Sequence, residues 1–198
     1  THCESSAASD VYKRQMVFLP KTPSGTDAEA GDFYDPGDTR PLNIANSDNR
    51  LLATAVRLRI EPHLSEWISP WQRGFVGGRS MIANVVDIDE AMMQTALGQK
   101  AGMAVFFDFK AAFPSVSHAF LQESLGAIGL PAWVLSFVTT LYRQNKCVVV
   151  AGGRQHEGFE LLAGIRQGCP LSPLLFSAAI DVLLRRITRL VPDATARA

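Results

Sequence analysis

No stretch of this 198-residue chain is apolar for long enough to cross a membrane, and no secretory signal opens it. Cysteine is scarce: Cys3, Cys147 and Cys169 are odd in number and widely separated. That pattern excludes a disulfide framework and a cysteine-based metal site, and it suits reduced residues in an intracellular protein. The four histidines are isolated and form no ligand set. Net charge is zero, so no global excess of positive charge marks a nucleic-acid partner. What is present is a sequence that is 47% hydrophobic. This is enough for one domain or two small ones, and it is not the composition of a disordered chain.

The charge is unevenly placed. Residues 1–39 hold three basic and seven acidic groups. Residues 40–79 hold six arginines (Arg40, Arg50, Arg57, Arg59, Arg73, Arg79) against Asp48, Glu61 and Glu66. A segment whose cations are all arginine suits phosphate contact, because the guanidinium fork meets phosphate oxygens bidentately. A solvated helix face is the plainer alternative.

Along the chain, Ser9-Asp10-Val11-Tyr12-Lys13-Arg14-Gln15 resembles the translation of an adapter used in sequencing libraries. Residues 1–15 are therefore set apart as a disordered tail. Residues 17–21 form a short strand candidate ended by Pro20, and 22–39 read as a long exposed loop. Ser47 is placed to cap a helix over about 48–60, with Leu51, Leu52, Ala55 and Val56 on one side and Pro62 as its limit. Ser80 opens a second helix carrying Ile82, Val85, Ile88 and Met92. After a glycine break comes an apolar strand around Asp108, then helices from Ser117 and from about Ala132 to Tyr142. A hairpin is expected over 146–151 and 159–163, with Gly152-Gly153 at or near the turn. Ser172 and Pro173 start a last helix, with Ile180, Leu183, Leu184, Ile187, Leu190 and Val191 on one face. Asp181 and Arg185 form an i,i+4 pair on its other side.

The most informative residue is Asp108, a carboxylate set in Val105-Phe106-Phe107-Asp108-Phe109. Burying it among phenylalanines is costly without a partner charge or metal ion. The chain continues Lys110-Ala111-Ala112-Phe113-Pro114-Ser115-Val116, and far downstream comes Gly164-Ile165-Arg166-Gln167-Gly168-Cys169-Pro170-Leu171-Ser172-Pro173. Together these segments resemble the first palm motif and the glutamine-glycine motif of reverse transcriptases, most closely those of non-LTR (LINE-type) retrotransposons. Leu19-Pro20-Lys21 with Arg40-Pro41-Leu42, and Gln72-Arg73-Gly74-Phe75-Val76-Gly77-Gly78-Arg79-Ser80, agree with the family's fingers blocks. The resemblance covers residues 17–191.

The resemblance implies an α+β fold, the right-hand polymerase fingers over 16–100 and a partial palm over 101–198. It implies RNA-directed DNA synthesis by a two-metal mechanism, with two Mg2+ (or Mn2+) ions in the complete enzyme. Asp108 would be the catalytic carboxylate and first metal ligand, with the Phe109 carbonyl beside it. Lys21 and Arg40 would hold the triphosphate. Phe109, Phe113, Gln167 and Gly168 would line the nucleotide, with the Phe113 ring excluding a 2′-hydroxyl. Arg73, Arg79 and Arg166 would meet nucleic acid. Partners would be an RNA template, a DNA primer and deoxynucleoside triphosphates, with no membrane; the location would be intracellular, and nuclear in a eukaryotic host. Pro114 departs from the family at a position that many relatives fill with a second aspartate, one not expected to bind metal.

The family's catalytic centre also needs two adjacent aspartates, and no such pair occurs in this sequence. Asp181 and Asp193 are poor substitutes, one in mid-helix and one in a terminal segment. The expectation is a truncated reading frame that is inactive alone. A group II intron or bacterial retroelement enzyme is the nearest alternative, and an RNA-binding remnant of the fold is an alternative from another class.

Overall fold

The computed structural model describes residues 14–143 and 145–191. β1 (Arg14–Pro20) is followed by a small exposed hairpin of β2 (Gly25–Asp27) and β3 (Gly31–Phe33). A 3-10 turn over Pro36–Asp38 then leads into β4 (Thr39–Ile44). The helices are α1 (Ser47–Trp67), α2 (Ile82–Leu97), α3 (His118–Ala127), α4 (Ala132–Tyr142) and, after the hairpin β5 (Cys147–Ala151) and β6 (Arg154–His156), α5 (Ser172–Leu190). The fold is α+β.

The main sheet has the order β4-β1-β5-β6. β1 is central, antiparallel to β4 and parallel to β5, so the sheet joins strands from both halves of the chain. β1 begins earlier than the sequence implies. Gln15, expected in the tail, pairs with Ile44 on one side and Val148 on the other. Arg14, also expected in the tail, pairs with Cys147, and residues 1–13 lie outside the described residues. The expected loop over 22–39 contains the β2–β3 hairpin. Asp27 tightens its turn by accepting the amides of Ala30 and Glu29 at 2.8 and 2.9 Å, and these bonds hold its carboxyl below the usual value.

The core lies among α1, α3, α4 and α5, with Leu64, Ile68, Leu121, Leu125, Val134 and Val138 fully buried. α1 runs through Pro62 rather than stopping at it. Proline removes a helical hydrogen bond at a cost of about 3 kcal/mol. Burying Ile60, Leu64 and the helix-ending Ile68, each worth about 1.5–3 kcal/mol, outweighs that. The buried face also differs from the expected one: Leu51 and Leu52 are exposed and Ala53 is buried.

α5 likewise departs from the expected single face. Ser172, Leu174, Leu175, Ser177, Ala178 and Ala179 are all buried, so its first half is enclosed, while Leu190 and Val191 are exposed. The hairpin turn is Gly152-Gly153 with φ of 56° and 72°, the sign that a two-residue primed turn demands. β6 follows at once, not at 159–163. That later segment runs beside the start of β5, where Cys147 N–H donates to Phe159 O at 3.0 Å.

Residues 101–109 form no strand. A strand needs a hydrogen-bonded neighbour, and among the described residues none pairs with this run. Its side chains are exposed, Phe106 by 77% and Phe107 by 75%. α2, which leads into it, buries none of its residues.

Candidate functional site

The two most informative sequence segments meet. Ile165 N–H donates to the Phe113 carbonyl and Gly164 N–H to that of Val116, both at 2.8 Å. Gly164 has φ +95°, and a Cβ there would lie 2.9 Å from Pro114 Cα and O. Only glycine allows this approach. On its other side the loop meets the sheet: Asn43 N–H in β4 donates to the Gln167 carbonyl at 3.1 Å. Gly168, with φ +101°, would place a Cβ 2.5 Å from Asn43 O. The Gln167-Gly168 turn is thus wedged between the Phe113 loop and β4, with the Gln167 side chain half-buried and Gly168 exposed.

β4 also carries Arg40, three residues before Asn43, so it links the turn to the basic end of the β1–β4 ladder over about 10 Å. Leu19 is paired with Arg40 and Pro20 with Thr39, which brings Lys21 to the same end. Lys21 is anchored by its N–H to Asp38 O at 2.9 Å and its Nζ to Gly37 O at 3.3 Å. Both cations are exposed. Backbone bonds thus connect the Phe113 loop, the Gln167-Gly168 turn and β4, and Lys21 and Arg40 share the far end of the β1–β4 ladder.

Phe113 is partly buried against the core. Its ring stacks on Phe176 of α5, with centroids 4.4 Å apart and planes 12° from parallel, and meets Phe75 edge-on at 5.9 Å and 86°. Phe75 lies within the Gln72–Ser80 block and Phe176 within the last helix, but nothing in the spacing of the sequence pairs either with Phe113.

Asp108 is exposed and, among the described residues, holds no hydrogen bond or ion pair, which reverses the expectation of a buried carboxylate; Phe109 is exposed beside it. Among the described residues no group of three histidines, cysteines or carboxylates is placed to hold a metal ion. The residues present do not fit a two-ion centre. Asp181, the nominal substitute, is wholly buried in a structural network.

The three arginines expected at nucleic acid are engaged within the fold. Arg79 donates to four backbone carbonyls, those of Ser65, Ile68, Ser69 and Gln72, at 2.5 to 3.0 Å. Arg73 bridges to Asp87 at 2.8 Å. Arg166 is buried, its guanidinium 5.1 Å from the Tyr142 ring centre, and its Nε and Nη2 have no hydrogen-bond partner among the described residues. Tyr142 in turn packs on His118, whose Nε2 donates to Gly164 O at 2.9 Å. This cluster backs the glutamine-glycine turn from inside.

Residues 20–193 match the family model described as reverse transcriptase (RNA-dependent DNA polymerase). The chain is 31% identical over 168 residues to the transposon TX1 uncharacterized 149 kDa protein of Xenopus laevis, covering 81% of this chain and 13% of that protein. It is 29% identical over 173 residues to the retrovirus-related Pol polyprotein from type-2 retrotransposable element R2DM of Drosophila melanogaster, covering 87% of this chain and 15% of that one. It is also 29% identical over 155 residues to the Pol polyprotein from type-1 retrotransposable element R2 of Popillia japonica, covering 78% and 22%. The chain thus spans at most about a fifth of these relatives. The fold is similar to that of apo telomerase from Candida tropicalis truncated from its C-terminal domain, with a TM-score of 0.57 and 13% identity over 93% of this chain and 41% of that one. The chain belongs to the reverse transcriptase (RNA-dependent DNA polymerase) family.

Proposed function

We propose that this chain is the fingers, about residues 16–100, and the first part of the palm, 101–198, of a non-LTR retrotransposon polymerase that copies RNA into DNA. Its partners are an RNA template, a DNA primer and deoxynucleoside triphosphates, and in a eukaryotic host its place of action is the nucleus. The observation that supports this reading is the backbone bond from Ile165 N–H to the Phe113 carbonyl, which joins the segments carrying the two motifs. Lys21 and Arg40 offset charge on the triphosphate, which phosphoryl transfer requires. Phe113 forms the wall against the sugar, and the Gln167-Gly168 turn brings backbone close to the base and sugar. Asp108 supplies one carboxylate, and a divalent-metal centre needs others.

The test is Phe113→Val in the full-length polymerase that carries this segment. Removing the ring opens space at the sugar's 2′ position. The ratio of kcat/KM for deoxyribonucleotides over ribonucleotides should fall about 30-fold, the size of a relieved overpacking clash of about 2 kcal/mol. Global destabilisation cancels in that ratio. An unchanged ratio assigns Phe113 to packing and removes the nucleotide-wall reading.

A further inference from the structure

We infer that Phe75 is a positioning residue for Phe113, and that the glycine-rich turn carrying it sets how strictly the polymerase rejects ribonucleotides. The inference rests on the reading of Phe113 as the sugar wall. A wall excludes a hydroxyl only if its ring is held in place. Phe176 alone does not hold it, because an offset stack leaves the ring free to slide in its own plane. Phe75 supplies a second contact of different orientation, its ring nearly perpendicular to that of Phe113 with centroids 5.9 Å apart.

The turn is built to present that ring. Phe75 has φ +60°, a left-handed conformation that a phenylalanine rarely adopts. Such strain persists only where the surroundings over-determine it. They do so here. Gln72 is buried and its Oε1 accepts Gly74 N–H at 3.1 Å. The fully buried Ser177 donates its hydroxyl to Gly74 O at 2.7 Å. Arg79 ties the far end of the turn to the end of α1. Ser177 neighbours Phe176 on α5, so one helical turn fixes both the stacked ring and the backbone that delivers the perpendicular one. Phe113 is itself flanked by a second left-handed residue, Ala111 at φ +54°, whose carbonyl accepts from Ser115 N–H and Oγ at 3.0 and 2.8 Å. Phe75 remains about half-exposed, which a residue serving only the core would not be.

The experiment has two arms. In the full-length polymerase, Phe75→Leu should lower the deoxyribonucleotide over ribonucleotide ratio of kcat/KM by about 2- to 13-fold, the range of one aromatic pair. Phe75→Tyr, which keeps the ring edge, should preserve the ratio. Combined with Phe113→Val, Phe75→Leu should add little, because both act through one ring. In the 198-residue chain, Phe75→Leu should speed flipping of the Phe113 ring and move its aromatic NMR signals. Phe75→Gly removes ring and backbone strain together and serves where the leucine variant does not fold. If Phe113→Val moves the ratio and neither Phe75→Leu nor Phe75→Gly does, Phe75 is packing only and the inference is overturned while the sugar-wall reading stands. If Phe113→Val leaves the ratio unchanged, that reading falls and the inference with it. Unmoved Phe113 signals in the chain overturn the positioning contact irrespective of activity.

Discussion

Ser69 donates both its backbone N–H and its hydroxyl to Oδ1 of Asp181, at 3.1 and 2.6 Å, across 112 residues of sequence. The second carboxylate oxygen accepts Arg185 Nε at 2.7 Å, and the guanidinium lies 4.3 Å over the Trp67 ring centre. Arg185 also donates to the Trp67 carbonyl. A wholly buried aspartate thereby ties the end of α1 to the middle of α5, just beyond the pair Phe176 and Ser177 that supports the candidate site.

Asp181→Ala should therefore destabilise the fold by at least about 2 kcal/mol, because it takes the acceptor from two part-buried Ser69 donors, at about 1–3 kcal/mol each, as well as from Arg185. Arg185→Ala should cost less, since Ser69 still satisfies one carboxylate oxygen and Arg185 is half in solvent. Urea unfolding followed by circular dichroism gives both values. A cost for Asp181→Ala below that for Arg185→Ala would show that the Ser69 bonds contribute little.

Gly164 gives a sharper test of how the two motifs are joined. Alanine there meets Pro114 backbone at 2.9 Å and must hold φ +95°, so Gly164→Ala should cost at least about 2 kcal/mol from strain and overpacking together. Gly126 is the internal control. It is exposed on α3 with nothing near its missing Cβ, so Gly126→Ala should stabilise by about 0.5–1 kcal/mol. Denaturant midpoints of the two variants should move in opposite directions.

The contrast between these glycines shows what was legible in the sequence. The segments carrying Phe113 and Gln167-Gly168 stand out because their spacing is tied to one family, and the fold joins those segments through the Ile165–Phe113 backbone bond. Capping was legible only at α3, where Ser117 accepts Phe120 N–H and the helix ends near Gly129 at φ +85°. Ser47, Ser80 and Ser172, expected to cap α1, α2 and α5, do not, since the N-cap positions are Asn46, Met81 and Leu171 and none makes a side-chain cap bond. The failures come where tertiary burial overrides local preference. Pro62 is a helix breaker by propensity, yet α1 continues because Ile60 and Leu64 on either side of it are buried. The run around Asp108 is strand-like by composition, yet no neighbouring strand among the described residues pairs with it. Asp181 was paired correctly with Arg185 but assigned to the polar face, because nothing in periodicity reveals Ser69 opposite it.

Arg79 separates a fold-holding role from a nucleic-acid role by experiment. Its guanidinium takes the carbonyls of Ser65, Ile68, Ser69 and Gln72. These are groups that the end of α1 and the following turn leave without helical partners, and a cation there also complements the helix dipole. Lysine has one nitrogen centre and no planar fork, so it cannot span the four acceptors. Arg79→Lys should cost about 1.5–3 kcal/mol, the scale of hydrogen bonds to a charged group, and Arg79→Ala at least as much. Because Arg79 is turned into the protein, RNA affinity measured where the variants remain folded should keep its salt dependence. A phosphate contact would predict the reverse: unchanged unfolding, weaker binding across all sequences, and a log–log salt slope reduced by about 0.7–0.9 per lost contact. Denaturation and fluorescence-anisotropy titrations at several salt concentrations on the same variants decide between the two, and a reduced slope with unaltered stability would return Arg79 to the nucleic-acid surface.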